Sequence, residues 1–155
     1  KFGEEKESRK IAKSIVKYRE KNAINNTLDL AEIIKAAKTI KTKKHPATKS
    51  FQALRMAVNS EIENLSVCLE KIKDKLIKSG KLVIISFHSL EDRIVKKFFK
   101  ENSNPLRLLS NVPIPKDYDK PKLKELVTIK KVTEQEYEKN PRSRSAKLRV
   151  AERIC

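Results

Sequence analysis

Apolar residues recur along this chain in two periods, and the change between them organises it. Glu5 to Lys21 places Ile11, Ala12, Ile15 and Tyr18 on one face, which predicts a helix. After Asn25-Asn26-Thr27, residues Leu30, Ile33, Ile34 and Ala37 predict a second helix, with Asn26 and Asp29 spaced as an N-terminal cap. A third carries Phe51, Leu54, Met56 and Val58 and breaks near Asn59-Ser60. Ile62, Leu65, Leu69, Ile72 and Leu76 then alternate at spacings of three and four, the stripe of a one-sided helix closed by Ser79-Gly80. The period then changes. Leu82 to Phe87 is a continuous apolar run, which predicts a strand covered on both faces. Ser89, with Asp92 three later, reads as the cap of the next helix, whose buried side is Ile94, Val95, Phe98 and Phe99. Four prolines, Pro105, Pro113, Pro115 and Pro121, mark an irregular excursion. Leu126 to Thr133 and Lys147 to Arg153 predict two strands, separated by a polar basic loop from Asn140 to Ser145. In the second strand Leu148 and Val150 alternate against Lys147 and Arg149.

Helix, strand, helix and two strands form the second half of an open α/β sheet. The first sixty or so residues are all helix and read as a separate unit. The boundaries expected are 1–60 and 61–155.

Charge adds a partner to this picture. A formal net charge of +17 points to a polyanion, most often nucleic acid. The alternative is a lysine-biased sequence dressing a solvated surface. Between Glu32 and Glu61 no acid interrupts Lys35, Lys38, Lys41, Lys43, Lys44, Lys49 and Arg55, the pattern that counterion release from phosphates requires. Five phenylalanines, three tyrosines and no tryptophan argue against base stacking as the main mode. Gly3 and Gly80 are the only glycines, so no Gly-rich loop cradles a phosphate or cofactor here. Cys68 and Cys155 have no metal-ligand spacing, and two histidines without acid or cysteine partners suggest no metal site. No apolar run is long enough to span a bilayer and no leader pattern is present, so the expected location is cytoplasmic, away from membranes. A chain opening on Lys1 rather than methionine reads as a piece of a longer protein.

Four stretches carry a resemblance. They are Phe2-Gly3-Glu4-Glu5, His45 to Arg55 (HPATKSFQALR), Ser86 to Lys96 (SFHSLEDRIVK) and Asn140 to Arg149 (NPRSRSAKLR). In that order they resemble the RsmH (MraW) family of S-adenosylmethionine-dependent methyltransferases of small-subunit ribosomal RNA. The resemblance implies a class I, Rossmann-like methyltransferase sheet with a helical, RNA-recognising insertion domain. Residues 1–60 would be most of the insertion and 61–155 the C-terminal half of the sheet. The implied activity is methylation of the exocyclic amine of a cytidine in the decoding centre of 16S rRNA. The implied partners are that RNA or the small subunit, with a homodimer left open. The implied cofactor, S-adenosyl-L-methionine, would be held by a Gly-rich loop and an acidic residue upstream of Lys1, so this piece alone is expected to be inactive. The rival class is a non-enzymatic basic RNA-binding or ribosome-associated module.

Candidate site residues follow. Ligands of open α/β sheets bind at the carboxyl ends of strands, where His88 and Ser89 stand, and these two are the catalytic candidates. For Ser89 the plain alternative is a helix cap; for His88 it is a ring satisfied by backbone. Asp92 reads as completing the cap, and Arg93 either pairs with it or reaches a phosphate. His45, Thr48 and Lys49, with Lys41, Lys43, Lys44 and Arg55, are RNA-backbone candidates beside the start of the third helix. The alternative for His45 is a loop histidine that holds its domain together. Arg142, Arg144 and Lys147 complete the phosphate-contact candidates.

Overall fold

The structure, a computed structural model, describes residues 4–40, 44–103 and 121–155, with backbone alone at 128–131. Lys41, Lys43, the Phe2-Gly3 pair and three of the four prolines of the excursion lie outside the described residues. The chain divides into two compact units, Lys1–Glu61 and Ile62–Cys155.

The first unit is helical: α1 Ser8–Arg19, α2 Thr27–Ala37 and α3 Thr48–Val58. Asn26 stands in extended backbone and its Oδ1 accepts the Asp29 N–H at 2.9 Å, so the cap is the one its spacing predicts. The core joins Ile11, Ile34, Ala37 and Ala47, with Ile15, Leu30 and Phe51 packed around them. Helix α1 begins later than the apolar period suggests. Glu5 and Glu7 are instead spent on bonds to residues 38–40.

The second unit holds α4 Glu61–Lys75, β1 Lys81–Ser86, α5 Ser89–Ser103, β2 Leu123–Lys131, α6 Glu134–Lys139, a 3-10 turn Pro141–Ser145 and β3 Lys147–Arg153. Helix α4 stops at Lys75, earlier than Ser79-Gly80. The left-handed residue of the following turn is Ser79, at φ 64°, not the glycine. Gly80 is needed for space: a Cβ there would stand 2.8 Å from the Ile77 carbonyl oxygen.

The sheet order is β1-β3-β2, and β3 pairs antiparallel with both neighbours. Two strands antiparallel to the same third strand are parallel to each other. The carboxyl ends of β1 and β2 therefore point the same way, as in the end of an open α/β sheet. Their last residues, Ser86 and Lys131, both register with Lys147.

One face of this sheet is covered. Leu82, Leu123 and Ala151 meet Leu69, Val95, Phe98 and Phe99 there, with Ile72, Leu76, Ile84 and Ile94 around them. The opposite face of β1 is open: Val83 and Ile85 are each 56% exposed and Phe87 55%. The expectation of cover on both faces of β1 is therefore met on one face only within the described residues. β1 also has one edge without a strand partner among them. The covered face carries Arg149, not Leu148, so the polar member of the β3 alternation points inward.

Replacing Phe99, fully buried, by alanine should cost about 3–5 kcal/mol. Val83→Ala, on the open face, should cost well under half of that. Urea unfolding of the two variants checks the contrast.

Candidate functional site at the carboxyl end of the sheet

The register at Lys147 gathers residues that are far apart in sequence. β1 leads through Phe87-His88 into α5, and β2 leads into α6 and the 3-10 turn, both at the end where β3 begins. His88, Ser89, Arg142, Arg144 and Lys147 thus belong to one end of one sheet. This is the end where open α/β sheets bind ligands.

The turn into α5 is a reciprocal cap, but not between the residues the sequence suggested. His88 Nδ1 accepts the Glu91 N–H at 3.3 Å. Glu91 Oε2 reaches back to the N–H groups of Phe87 at 2.9 Å and His88 at 3.3 Å. This is the geometry of a capping box with histidine in the serine position. An Nδ1 that accepts leaves the ring proton on Nε2. That Nε2 lies buried 3.1 Å from Glu91 Oε1, at an angle that forms no hydrogen bond. Ser89, the residue expected to cap, is the first residue of α5 and is exposed. Its hydroxyl makes no hydrogen bond among the described residues.

Asp92 does not complete the cap either. It is buried and points to β3, where Oδ1 takes Arg149 Nε at 2.8 Å and Oδ2 takes Lys147 Nζ at 3.0 Å. Burial raises the Asp92 pKa, and the hydrogen bonds from Arg149 and Lys147 more than offset this, leaving it below its ordinary value. Lys147 is therefore tied to an acid on one side. Ser86 faces the same side as Lys147 in the ladder, and its buried Oγ has no hydrogen-bond partner. Arg93 is exposed on the first turn of α5.

The stretch expected as a loop from Asn140 is ordered differently. Residues 134–139 form α6, capped by Thr133, whose Oγ1 accepts the Glu136 N–H at 3.3 Å. The Thr-x-x-Glu spacing of Thr133 and Glu136 is the signal that reveals this helix. The 3-10 turn follows directly, with Arg142 and Arg144 exposed and Ser143 buried.

In the first unit the basic stripe acquires acids that the linear sequence hides. Lys35 pairs with Glu32 at 3.3 Å. Lys38 is buried against Glu5 at 2.7 Å and also donates to the Pro46 carbonyl. Arg55 meets Glu61 through two bonds, at 2.8 and 3.1 Å. Lys49 donates to the Glu4 carbonyl at 3.1 Å. Lys44 is exposed. His45 is exposed, and its Nδ1 accepts the Ala47 N–H at 3.2 Å, so it organises the entry to α3. Thr48 donates its hydroxyl to the His45 carbonyl. Glu7 accepts bonds from the Thr39 hydroxyl and from the Thr39 and Ile40 N–H groups. These hold its pKa at about 2, the Thr39 hydroxyl contributing most. Glu5 is lowered too: burial raises it, and the hydrogen bonds from Lys38 and the Glu7 N–H, with the charges of Lys38 and Lys49, together outweigh that.

A model of the MraW methylase family matches residues 1–154. The chain belongs to that family. It is similar to proteins named ribosomal RNA small subunit methyltransferase H. The one from Coxiella burnetii (strain Dugway 5J108-111) is 44% identical over 154 residues, which cover 99% of this chain and 50% of that protein. The one from Thioalkalivibrio sulfidiphilus is 45% identical over 156 residues, with 99% and 50% covered. The one from Maridesulfovibrio salexigens is 49% identical over 158 residues, with 98% and 48% covered. The chain thus spans about half the length of the curated relatives it matches. Within this MraW-family chain, two of the four resembling stretches, Ser86–Lys96 and Asn140–Arg149, lie at the same end of the sheet. Lys38 and Lys49 bind the other two together, Lys38 linking Glu5 to Pro46 and Lys49 reaching Glu4. No described helix is long and apolar enough to cross a membrane.

Asp92→Asn should destabilise the second unit by about 3–5 kcal/mol, because it leaves Arg149 buried without its counter-charge. Conversion to an equally buried neutral pair, Asp92→Asn with Arg149→Met, should recover much of the loss. Chemical denaturation of the three proteins tests this. Glu7 gives a pH signature. A carboxylate whose folded pKa lies below its unfolded value stabilises fully above the unfolded value, 4.5, and loses that contribution as pH falls through about 2. Wild-type melting temperature should therefore drop more steeply over that window than that of Glu7→Gln, as followed by circular dichroism.

Proposed function

We propose that this chain is the RNA-engaging and C-terminal part of an S-adenosylmethionine-dependent methyltransferase that modifies the exocyclic amine of a cytidine in the decoding centre of 16S rRNA. The observation that carries the reading is the family match from residue 1 to 154, together with the meeting of two family stretches at the carboxyl end of the sheet. In this reading residues 1–60 are the substrate-recognition insertion and 61–155 the last part of a class I methyltransferase sheet. The unpartnered edge of β1 is where the remaining strands would add. The protein would act in the cytoplasm.

A nucleotide-like cofactor needs backbone that can approach it closely, which glycine allows. Gly80 lies just before the amino end of β1, away from the candidate site, and the space beside its Cα is closed by the Ile77 carbonyl, 2.8 Å from where a Cβ would stand. The described residues provide no backbone cradle for a nucleotide-like cofactor. The reading therefore assigns its site to the half of the relatives' length that this chain does not span.

The chain's own residues supply orientation. The lone pair of a cytosine amine is delocalised into the ring, so the amine must be aligned and its protons accepted by fixed groups. Ser89 is the better placed of the two catalytic candidates, because its hydroxyl is exposed at the strand end with its lone pairs unused. His88, with Nδ1 spent on the cap, fixes the turn that presents Ser89. Around them, Arg93, Arg142, Arg144 and Lys147 supply positive charge for the RNA backbone. Lys41, Lys43, Lys44, His45, Thr48, Lys49 and Arg55 do so in the first unit.

In the protein that contains the remaining half, transfer of labelled methyl from S-adenosylmethionine to small-subunit RNA is the direct test. Ser89→Ala should lower turnover roughly tenfold or more at unchanged melting temperature. His88→Ala should cost about 0.5–2 kcal/mol of stability as a lost cap. RNA binding without any methyl transfer would favour the non-enzymatic RNA-binding reading instead.

A further inference from the structure

The 3-10 turn Pro141–Ser145 is tied down by a small set of bonds that involve no charge. Asn140 receives its end of α6 through its own N–H, which donates to the Glu136 carbonyl at 2.9 Å. Its Oδ1 then accepts the Arg142 N–H at 3.2 Å. Its carbonyl accepts twice from Ser143, from the N–H at 2.9 Å and from Oγ at 2.7 Å. The Ser143 carbonyl closes the turn by accepting the Ala146 N–H at 2.7 Å. Pro141, at the start, fixes its own φ without a donor to satisfy.

A 3-10 helix has three residues per turn, so consecutive side chains point about 120° apart. Ser143 is only 6% exposed and points inward. With that direction fixed, its two neighbours must both point outward, on either side of it. These neighbours are Arg142 and Arg144. Both are exposed, and neither has an acidic partner among the described residues, although α6 beside them carries Glu134, Glu136 and Glu138. Lys147 and Arg149, three and five positions beyond Arg144, are tied to Asp92. Among the described residues the two arginines are thus left with their forks unspent at the carboxyl end of the sheet.

We infer that Ser143, with Asn140, is a positioning residue that presents Arg142 and Arg144 as a preorganised pair for neighbouring phosphates of an RNA strand. The inference rests on the RNA-binding part of the proposed function and adds to it a role for two uncharged residues. A guanidinium binds a phosphate through two parallel bonds, so the direction in which it is held matters as well as its charge. Holding the backbone in the bound conformation beforehand removes part of the ordering cost of association.

The test is a double-mutant cycle on RNA affinity, measured on the full chain by fluorescence anisotropy with a labelled single-stranded RNA, across a salt series. Arg142→Gln with Arg144→Gln should lower the slope of log affinity against log salt by about 1.4, two phosphate contacts at about 0.7 each. Ser143→Ala should weaken binding about three- to tenfold in the wild-type background and have no effect in the double-glutamine background. Asn140→Ala should behave like Ser143→Ala, and provides the second variant if Ser143→Ala does not fold. An equal loss in both backgrounds would mean that Ser143 only supports the fold, and no loss in either would mean that the turn needs no fixing; each overturns the inference alone. Competition by inorganic phosphate as strong as by RNA would point to an isolated anion site and overturn the assignment to an RNA strand. A wild-type chain that fails to bind RNA at low salt would overturn both this inference and the RNA-binding part of the proposed function.

Discussion

The second unit depends on one buried carboxylate. Asp92 reaches from the first turn of α5 to two cations on β3, and so fastens the helix that follows β1 to the strand that pairs with it. Arg149 is 3% exposed, and an unpaired guanidinium there would be costly to bury. Its pairing with Asp92 makes that burial tolerable and turns a charge into a positional constraint. The same link aligns the strand–helix junction at His88-Ser89 with the first residue of β3. The cap at that junction adds a second constraint. Glu91 holds the backbone of Phe87 and His88, so the exit from β1 is fixed from both the helix side and the strand side.

The first unit uses acids in a comparable way. Glu5 and Glu7 precede α1, yet their partners lie in the segment after α2. They tie one end of the basic connector, and Lys49, reaching back to Glu4, ties the other. Charges that read as a stripe along the sequence are therefore partly consumed in holding the connector's ends. The cationic surface is smaller than the formal charge suggests.

Much of this was legible in the sequence, and the failures have a common cause. Helices α2 and α3, the strand at Leu82 and the strand at Lys147 follow from local period and local caps, and the structure has them. The Asn26 cap is local and was read correctly. The α5 cap was assigned to Ser89 and Asp92 because serine and aspartate usually play those parts. Here Asp92 was claimed by a long-range partner, Arg149, and a histidine took the capping role. The inward face of β3 was hidden for the same reason, since an arginine in an alternating strand looks solvated until its counter-charge is found. The cover expected on both sides of β1 is met on one side within the described residues, because an apolar run does not say which elements pack on each face. Among the site residues, sequence placed His88, Ser89, Arg142, Arg144 and Lys147 separately. Only the register of three strands brought them to one end. Asn140, Ser143 and Ser86 act through backbone or burial and leave no spacing to read, and the His88-x-x-Glu91 spacing reads as a cap only where histidine stands in for serine.

The middle position of β3 bears on how the chain acquires this shape. Of the three strands it is the last to be synthesised, yet both ladders run through it. Of these three strands β1 leaves the ribosome first, and β2 follows without being able to pair with it. Every ladder among the described strands is thus a long-range one that waits for residues 147–153. Closure of such distant pairs is slow compared with helix formation. The helices α4 and α5 can shelter one side of β1 in the interval, but the edge it shares with β3 stays open until that strand slides between the other two.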